Sequence, residues 1–175
     1  MRHSRPKRLL TLVLLLLLLA VPAVASAERI QATLTGYEEV PVVSTVASGE
    51  FRAMISGDGE SMDYELTYSG LQATVTQAHI HVAQLSVNGS IVIWLCGTAS
   101  NPGPAGTQAC PQSGTLTGTI TASNVIAGST ASQQLTAGDL DEVIAAIRAG
   151  TAYANVHTNL SPGGEIRGQI HASSR

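Results

Sequence analysis

The sequence is poor in charge and nearly empty of aromatics. Charged residues make up 12% of its 175 positions, and the aromatic complement is one Trp, four Tyr and one Phe. So little charge excludes a coiled coil, a basic nucleic-acid-binding arm and a charge-rich disordered tail. Lysine is all but missing. Lys7, the only one, stands with Arg2, Arg5 and Arg8 in front of an apolar run from Leu9 to Ala20 that only Thr11 interrupts. No later run approaches the roughly 18 residues a bilayer span needs. Motifs for familiar chemistry are also missing: there is no nucleophile elbow, phosphate loop, dinucleotide fingerprint or two-histidine helix of the zinc-protease kind.

What is present begins with a leader. A basic tip, a short apolar run, Pro22 to end any helix, and the small residues Ala25-Ser26-Ala27 together read as a signal peptide over residues 1–27. An uncleaved N-terminal anchor is the alternative reading. Four of the nine basic residues leave with the leader, so residues 28–175 keep five arginines against all twelve acids and no lysine. An acidic, lysine-free surface neither displaces counterions from a phosphate backbone nor attracts an anionic membrane. Residues 28–175 are therefore expected to be one soluble domain, secreted or held in the periplasm or cell envelope, with no nucleic-acid partner and no transmembrane segment.

Two cysteines, Cys96 and Cys110, lie in that domain on either side of a Gly-, Pro- and Thr-rich stretch with nothing apolar enough to bury. In an oxidising compartment the economical reading is a disulfide closing the loop, worth about 3 kcal/mol by chain entropy. A metal role for the pair is disfavoured, since no second close-spaced Cys or His pair stands beside it.

The rest reads as about eight short strands: 29–35, 48–56, 61–69, 77–86, 90–95, 114–121, 151–158 and 165–172. Phe51, Ala53 and Ile55 alternate with polar neighbours, as do Tyr64, Leu66 and Tyr68, with Gly57-Asp58-Gly59-Glu60 as the turn between them. Asn88-Gly89 is expected to form a tight turn between the fourth and fifth strands. Eight strands are too many for one flat sheet of this length, so the expected fold is all-β, a Greek-key sandwich of antiparallel strands. One segment breaks the pattern. Leu140, Val143, Ile144 and Ile147 fall at helical spacing, Thr136 and Asp139 resemble a capping pair, and Gly150 supplies a stop, which predicts one short amphipathic helix over about 137–149.

Histidine is the residue type with chemical promise. Outside the leader there are four, His79, His81, His157 and His171, all on predicted strands. His79 and His81 are two apart and share a face, while Ile80 and Val82 take the other. A C-terminal hairpin looped over Leu160 to Gly164 would set His157 opposite Arg167 and Asn155 opposite Gln169, with Tyr153, His157, Arg167 and His171 on one surface. Two imidazoles from one strand and one from another suit copper or zinc. The competing readings are that the histidines are merely solvated or hydrogen-bonded, that Arg167 pairs with Glu165 or another carboxylate across the ladder, and that Trp94 belongs to the core.

The stretches "TGYEEVPVV", "GLQATVTQAHIHVAQLSVNGSIVIWLC", "LTAGDLDEVIAAIRAG" and "TAYANVHTNLSPGGEIRGQI" resemble the CHRD domain over about Ile30 to Ile170. That domain is named after chordin, an animal antagonist of bone morphogenetic proteins, and also occurs as a single secreted domain in bacterial proteins. The lone domain here is similar to the bacterial kind. Asn88-Gly-Ser and Asn159-Leu-Ser fit the N-glycosylation pattern, which matters only on a eukaryotic secretory route. A second, weaker similarity is of pattern only. Copper-zinc superoxide dismutases place an H-x-H strand, a later V-H and a late Arg around copper, and His79, His81, Val156-His157 and Arg167 come in that order. The histidine-bridged zinc loop is missing, and no cysteine follows Arg167.

The CHRD resemblance implies a secreted, non-enzymatic binding module for an extracellular ligand or protein, while the histidine spacing and the dismutase-like order make His79, His81 and His157 the candidate ligands for copper or zinc. Arg167, His171 and Tyr153 are the candidate supporting residues or anion contacts. Two alternatives stay open: a copper-dependent redox enzyme resembling superoxide dismutase, in which Arg167 attracts an anionic substrate, and a purely structural envelope or matrix domain.

Overall fold

The computed structural model describes residues 26–173. The leader expected over 1–27 lies outside the described residues as far as residue 25. Nine strands follow in chain order: β1 Glu28–Thr35, β2 Ser48–Ile55, β3 Ser61–Ser69, β4 Val75–Val82, β5 Ser90–Cys96, β6 Gly114–Thr121, β7 Ala152–Thr158, β8 Ile166–Gln169 and β9 His171–Ala172. One helix, α1, spans Leu140–Arg148. The strands run antiparallel in the order β5-β4-β7-β8-β1-β2-β3-β6, with β9 also on β1. The two halves of this path join through Thr35 opposite Arg167. At the far ends an isolated bridge from Ile93 to Val125 brings β5 against the segment after β6, so the sheet folds on itself into a nearly closed sandwich.

The alternation seen in β2 and β3 is what packs them. Phe51, Ile55, Met62 and Leu66 are fully buried, while Arg52, Asp63 and Glu65 face solvent. Gly59 turns the chain with φ +79°, and Ser56 N–H reaches Ser61 O at 2.9 Å. Ile80, Ala154, Val156 and Ile166 close the core from the opposite layer. The helix buries Leu140, Val143, Ile144 and Ile147, the predicted stripe, and packs on β4, β7 and β9. It starts later than expected: Asp139 is its N-cap, and the Thr136 hydroxyl bonds the Asp139 carboxylate at 3.2 Å instead of capping the backbone. Gly150, at φ +69°, ends it with its N–H on Ile147 O and the next N–H, of Thr151, on Ala146 O. Cys96 and Cys110 form a disulfide with Cα atoms 5.0 Å apart. None of the described helices is long and apolar enough to cross a membrane.

Three expectations are corrected. β4 ends at Val82 rather than Ser86, and the turn falls on Leu85 and Ser86, where Ser86 takes φ +61°. Gly89 serves another purpose: a Cβ there would stand 2.0 Å from Val82 O, so only glycine lets the two backbones approach. The C-terminal hairpin is slid by two residues, with Asn155 opposite Arg167 and Tyr153 opposite Gln169. A two-residue slip keeps every side chain on its face, which is why hydrophobic matching did not detect it. The last strand is also broken at Ile170, which bonds Ala152 O, and β9 continues on β1.

Candidate metal centre

β7 is buried along its whole length on both faces. Its apolar side enters the core. Its other side carries Tyr153, Asn155 and His157, flanked by His79 and His81 on β4 and Arg167 on β8. This face would be solvated in an open sheet. Here the connections after β1, after β4 and after β7 cover it, leaving His79, His81 and His157 exposed to only 0, 6 and 5%.

The three imidazoles converge. Their ring nitrogens lie within 4.8 Å of one another, and His79 Nδ1 is 3.2 Å from His157 Nε2. Two nitrogens bound to one tetrahedral ion at 2.0–2.1 Å stand about 3.4 Å apart, so that pair already fits, and completing the set asks a ring to move by about 1.4 Å at most. Backbone carbonyls orient two of the rings. His81 Nδ1 donates to Gly89 O at 3.0 Å and His157 Nδ1 to Pro162 O at 3.0 Å, which leaves Nε2 of each neutral ring with its lone pair toward the cluster. His81 Nε2 and His79 Nε2 are buried without any hydrogen-bond partner. The orphaned Nε2 of His81 is what an ion in the cluster would satisfy; His79 meets the cluster through Nδ1, so its own Nε2 is not accounted for by that ion.

Burial keeps the rings neutral. It pushes His79 down to about 2, helped by the nearby His157 and His81, and His81 down to about 4, while His157 is also lowered by burial. Neutral imidazole is the ligating form.

Arg167, 1% exposed, stacks its guanidinium 3.4 Å over the centre of the Tyr153 ring, and that ring stacks in parallel on His81 at 4.6 Å. Nη2 of Arg167 donates to Val87 O at 2.8 Å and Nη1 to Asn88 Oδ1 at 3.2 Å. Asn88 in turn donates to Val40 O at 3.1 Å, tying the strap after β1 to the loop after β4. Glu165 is not the partner of Arg167: its carboxylate accepts from Thr45 Oγ1, Gln72 N and Thr158 Oγ1. Glu39, 4% exposed on the strap, lies against Gly164, and burial raises its carboxyl to about 7 against the pull of Arg167.

His79, His81 and His157 thus come together, with Tyr153 and Arg167 as a stack behind His81. His171 does not join them; it is exposed on β9 opposite Gln31. Trp94 is not core. It is half-buried and sits edge-on to His79, ring centres 4.3 Å apart, because the two residues face each other across β4 and β5. Asn155, its Oδ1 3.0 Å from His157 Nε2, belongs to the site but was read only as part of a polar face. Its position two residues before His157 on one strand was the available signal. Glu39 and the carbonyls of Gly89 and Pro162 had none, since loop closure places them.

No curated protein and no solved structure matches this chain. A family model described as CHRD domain matches residues 30–170, nearly the whole of the described domain, and the chain belongs to that family.

Proposed function

We propose that this CHRD domain is an exported, non-enzymatic binding module that holds one copper or zinc ion through His79, His81 and His157 and presents the folded domain to an extracellular ligand or protein. The observation that carries the metal reading is the pair of carbonyl-oriented rings, His81 and His157, whose Nε2 atoms, that of His81 without a partner, turn into a buried cluster with His79. The disulfide supports an oxidising, non-cytoplasmic location, and the signal peptide over 1–27 is part of the same proposal.

The burial supports binding over turnover. An anionic substrate approaching Arg167 would have to displace Val87 O and Asn88, and the guanidinium is already stacked on Tyr153. A catalytic metal needs an open coordination position, and rings exposed to 6% or less leave little room for one.

Elemental analysis of the purified exported protein tests the reading, with His81→Ala beside it. One equivalent of copper or zinc in the parent and none in the variant is the expected result. Equal metal content in both would remove these histidines from consideration.

A further inference from the structure

The atoms around the cluster are all neutral donors. Three are imidazole nitrogens, and the next polar atom inward is the amide oxygen of Asn155. Among the described residues no carboxylate joins the three histidines, and Glu165 is committed to Thr45, Gln72 and Thr158. The full charge nearest them is positive: Arg167, one ring away from His81 through Tyr153.

Asn155 sets an amide oxygen beside the His157 ring. A neutral His157 donates from one nitrogen only, and Pro162 O, which can only accept, takes the Nδ1 proton. Nε2 then has only its lone pair, which faces Asn155 Oδ1, a second acceptor, at 3.0 Å and His79 Nδ1, which can donate to it, at 3.2 Å. Without an ion His79 Nδ1–H can satisfy the lone pair, while the contact between Nε2 and Oδ1 stays unfavourable in this amide orientation and is relieved by a cation beside both atoms. Turning the amide over would offer Nδ2–H to the same lone pair, so one side chain serves the site with and without an ion.

Charge then discriminates between ions. The cost of burying an ion grows with the square of its charge, about fourfold from a monovalent to a divalent cation, and no anionic ligand here offsets it. Arg167 adds repulsion in proportion to that charge. The donor set has no sulfur, so selectivity comes from charge rather than ligand softness. We propose that the cluster is selective for Cu(I), and that Asn155, a neutral oxygen donor where a carboxylate would favour a divalent ion, sets that selectivity. The proposal rests on the reading that these histidines bind metal.

The test is a competition. The purified protein and its Asn155→Asp variant are equilibrated anaerobically with Cu(I) and Zn(II) buffered to equal free concentrations, then desalted and their metal counted. The parent should carry one copper per chain, and Asn155→Asp should shift the copper-to-zinc ratio toward zinc by about 100-fold. A parent that carries neither ion overturns the metal reading and the selectivity with it. A parent loaded with zinc leaves the metal reading standing and overturns the selectivity. An unchanged ratio in a folded Asn155→Asp variant removes Asn155 from the role. If that variant does not fold, the parent still decides: its bound copper couple must lie positive of the aqueous couple, and a potential at or below it overturns the proposal.

Discussion

Two strand pairs of the same sheet use their outer faces in opposite ways. β2 and β3 turn Arg52, Asp63 and Glu65 to water and Phe51, Ile55 and Leu66 to the core. β4 and β7 have an equally apolar inner face, but their outer face is buried too, and it holds His79, His81, Asn155 and His157. A polar group in water costs nothing to keep, whereas a buried one must find a partner. The first pair therefore reports only on folding, and the second carries nitrogens that folding leaves unsatisfied.

The sharpest way to break the comparison is to damage each pair separately. Phe51→Ala empties a fully buried site and should destabilise the domain by about 3–5 kcal/mol in denaturant titration, while the stability gained on adding metal stays. If that gain vanished as well, the two pairs would not be independent. Opening the disulfide with Cys96→Ala and Cys110→Ala together should cost about 3 kcal/mol, read in the same titration under non-reducing conditions. It closes the loop after β5, on the edge of the β4–β7 pair, and should leave metal stoichiometry unchanged.

Protons act most strongly on the second pair and its roof. Folding holds His79 and His81 below their ordinary value, so the unfolded chain binds more protons than the folded one as pH drops below about 6.5. The metal-free domain should then lose stability at about 1.4 kcal/mol per pH unit for each histidine, down to about pH 4 for His81 and further for His79. Glu39 has the opposite sign. Its folded value of about 7 lies above that of the unfolded chain, so the folded state holds the extra proton, and stability falls as pH rises from about 4.5 through 7. Glu39→Gln should abolish that second loss and, because the two windows overlap between about pH 4.5 and 6.5, steepen the acid limb there by about 1.4 kcal/mol per pH unit. Chemical denaturation across pH 4–8 measures both, and a pH-independent parent would contradict both assignments.

Least effect is expected on the solvated face. Glu65→Gln on β3 should change stability by no more than about 0.5 kcal/mol, because its side chain already faces water. A larger loss would show that this face too is covered in solution.

The contrast between the pairs also marks how far the sequence could be read. The β2–β3 hairpin was legible to its turn, since period-two alternation and Gly57 to Glu60 encode both. The helix stripe and the disulfide were legible for similar local reasons. His79 and His81 could be placed on one face by their spacing, and His157 joined them despite the wrong register, because a slip of two conserves the face. What stayed hidden was the roof. Nothing local says that the strap carrying Glu39 and the loops carrying Asn88 and Pro162 fold over that face, so the burial of Arg167 and the carbonyl partners of the histidines could not be foreseen. Trp94 was misread for the same reason: its apolar neighbours suggested core, but the strand across from it presents His79.

That indole also provides the most direct test. Trp94 is the single tryptophan, and its ring lies 4.3 Å from that of His79. Copper titrated into the metal-free protein, with Trp94 fluorescence as the readout, should quench the emission and saturate at one equivalent, and His81→Ala should show no such saturable phase. An emission unaffected by copper, or a titration that His81→Ala leaves unchanged, would contradict a metal centre built by these three histidines.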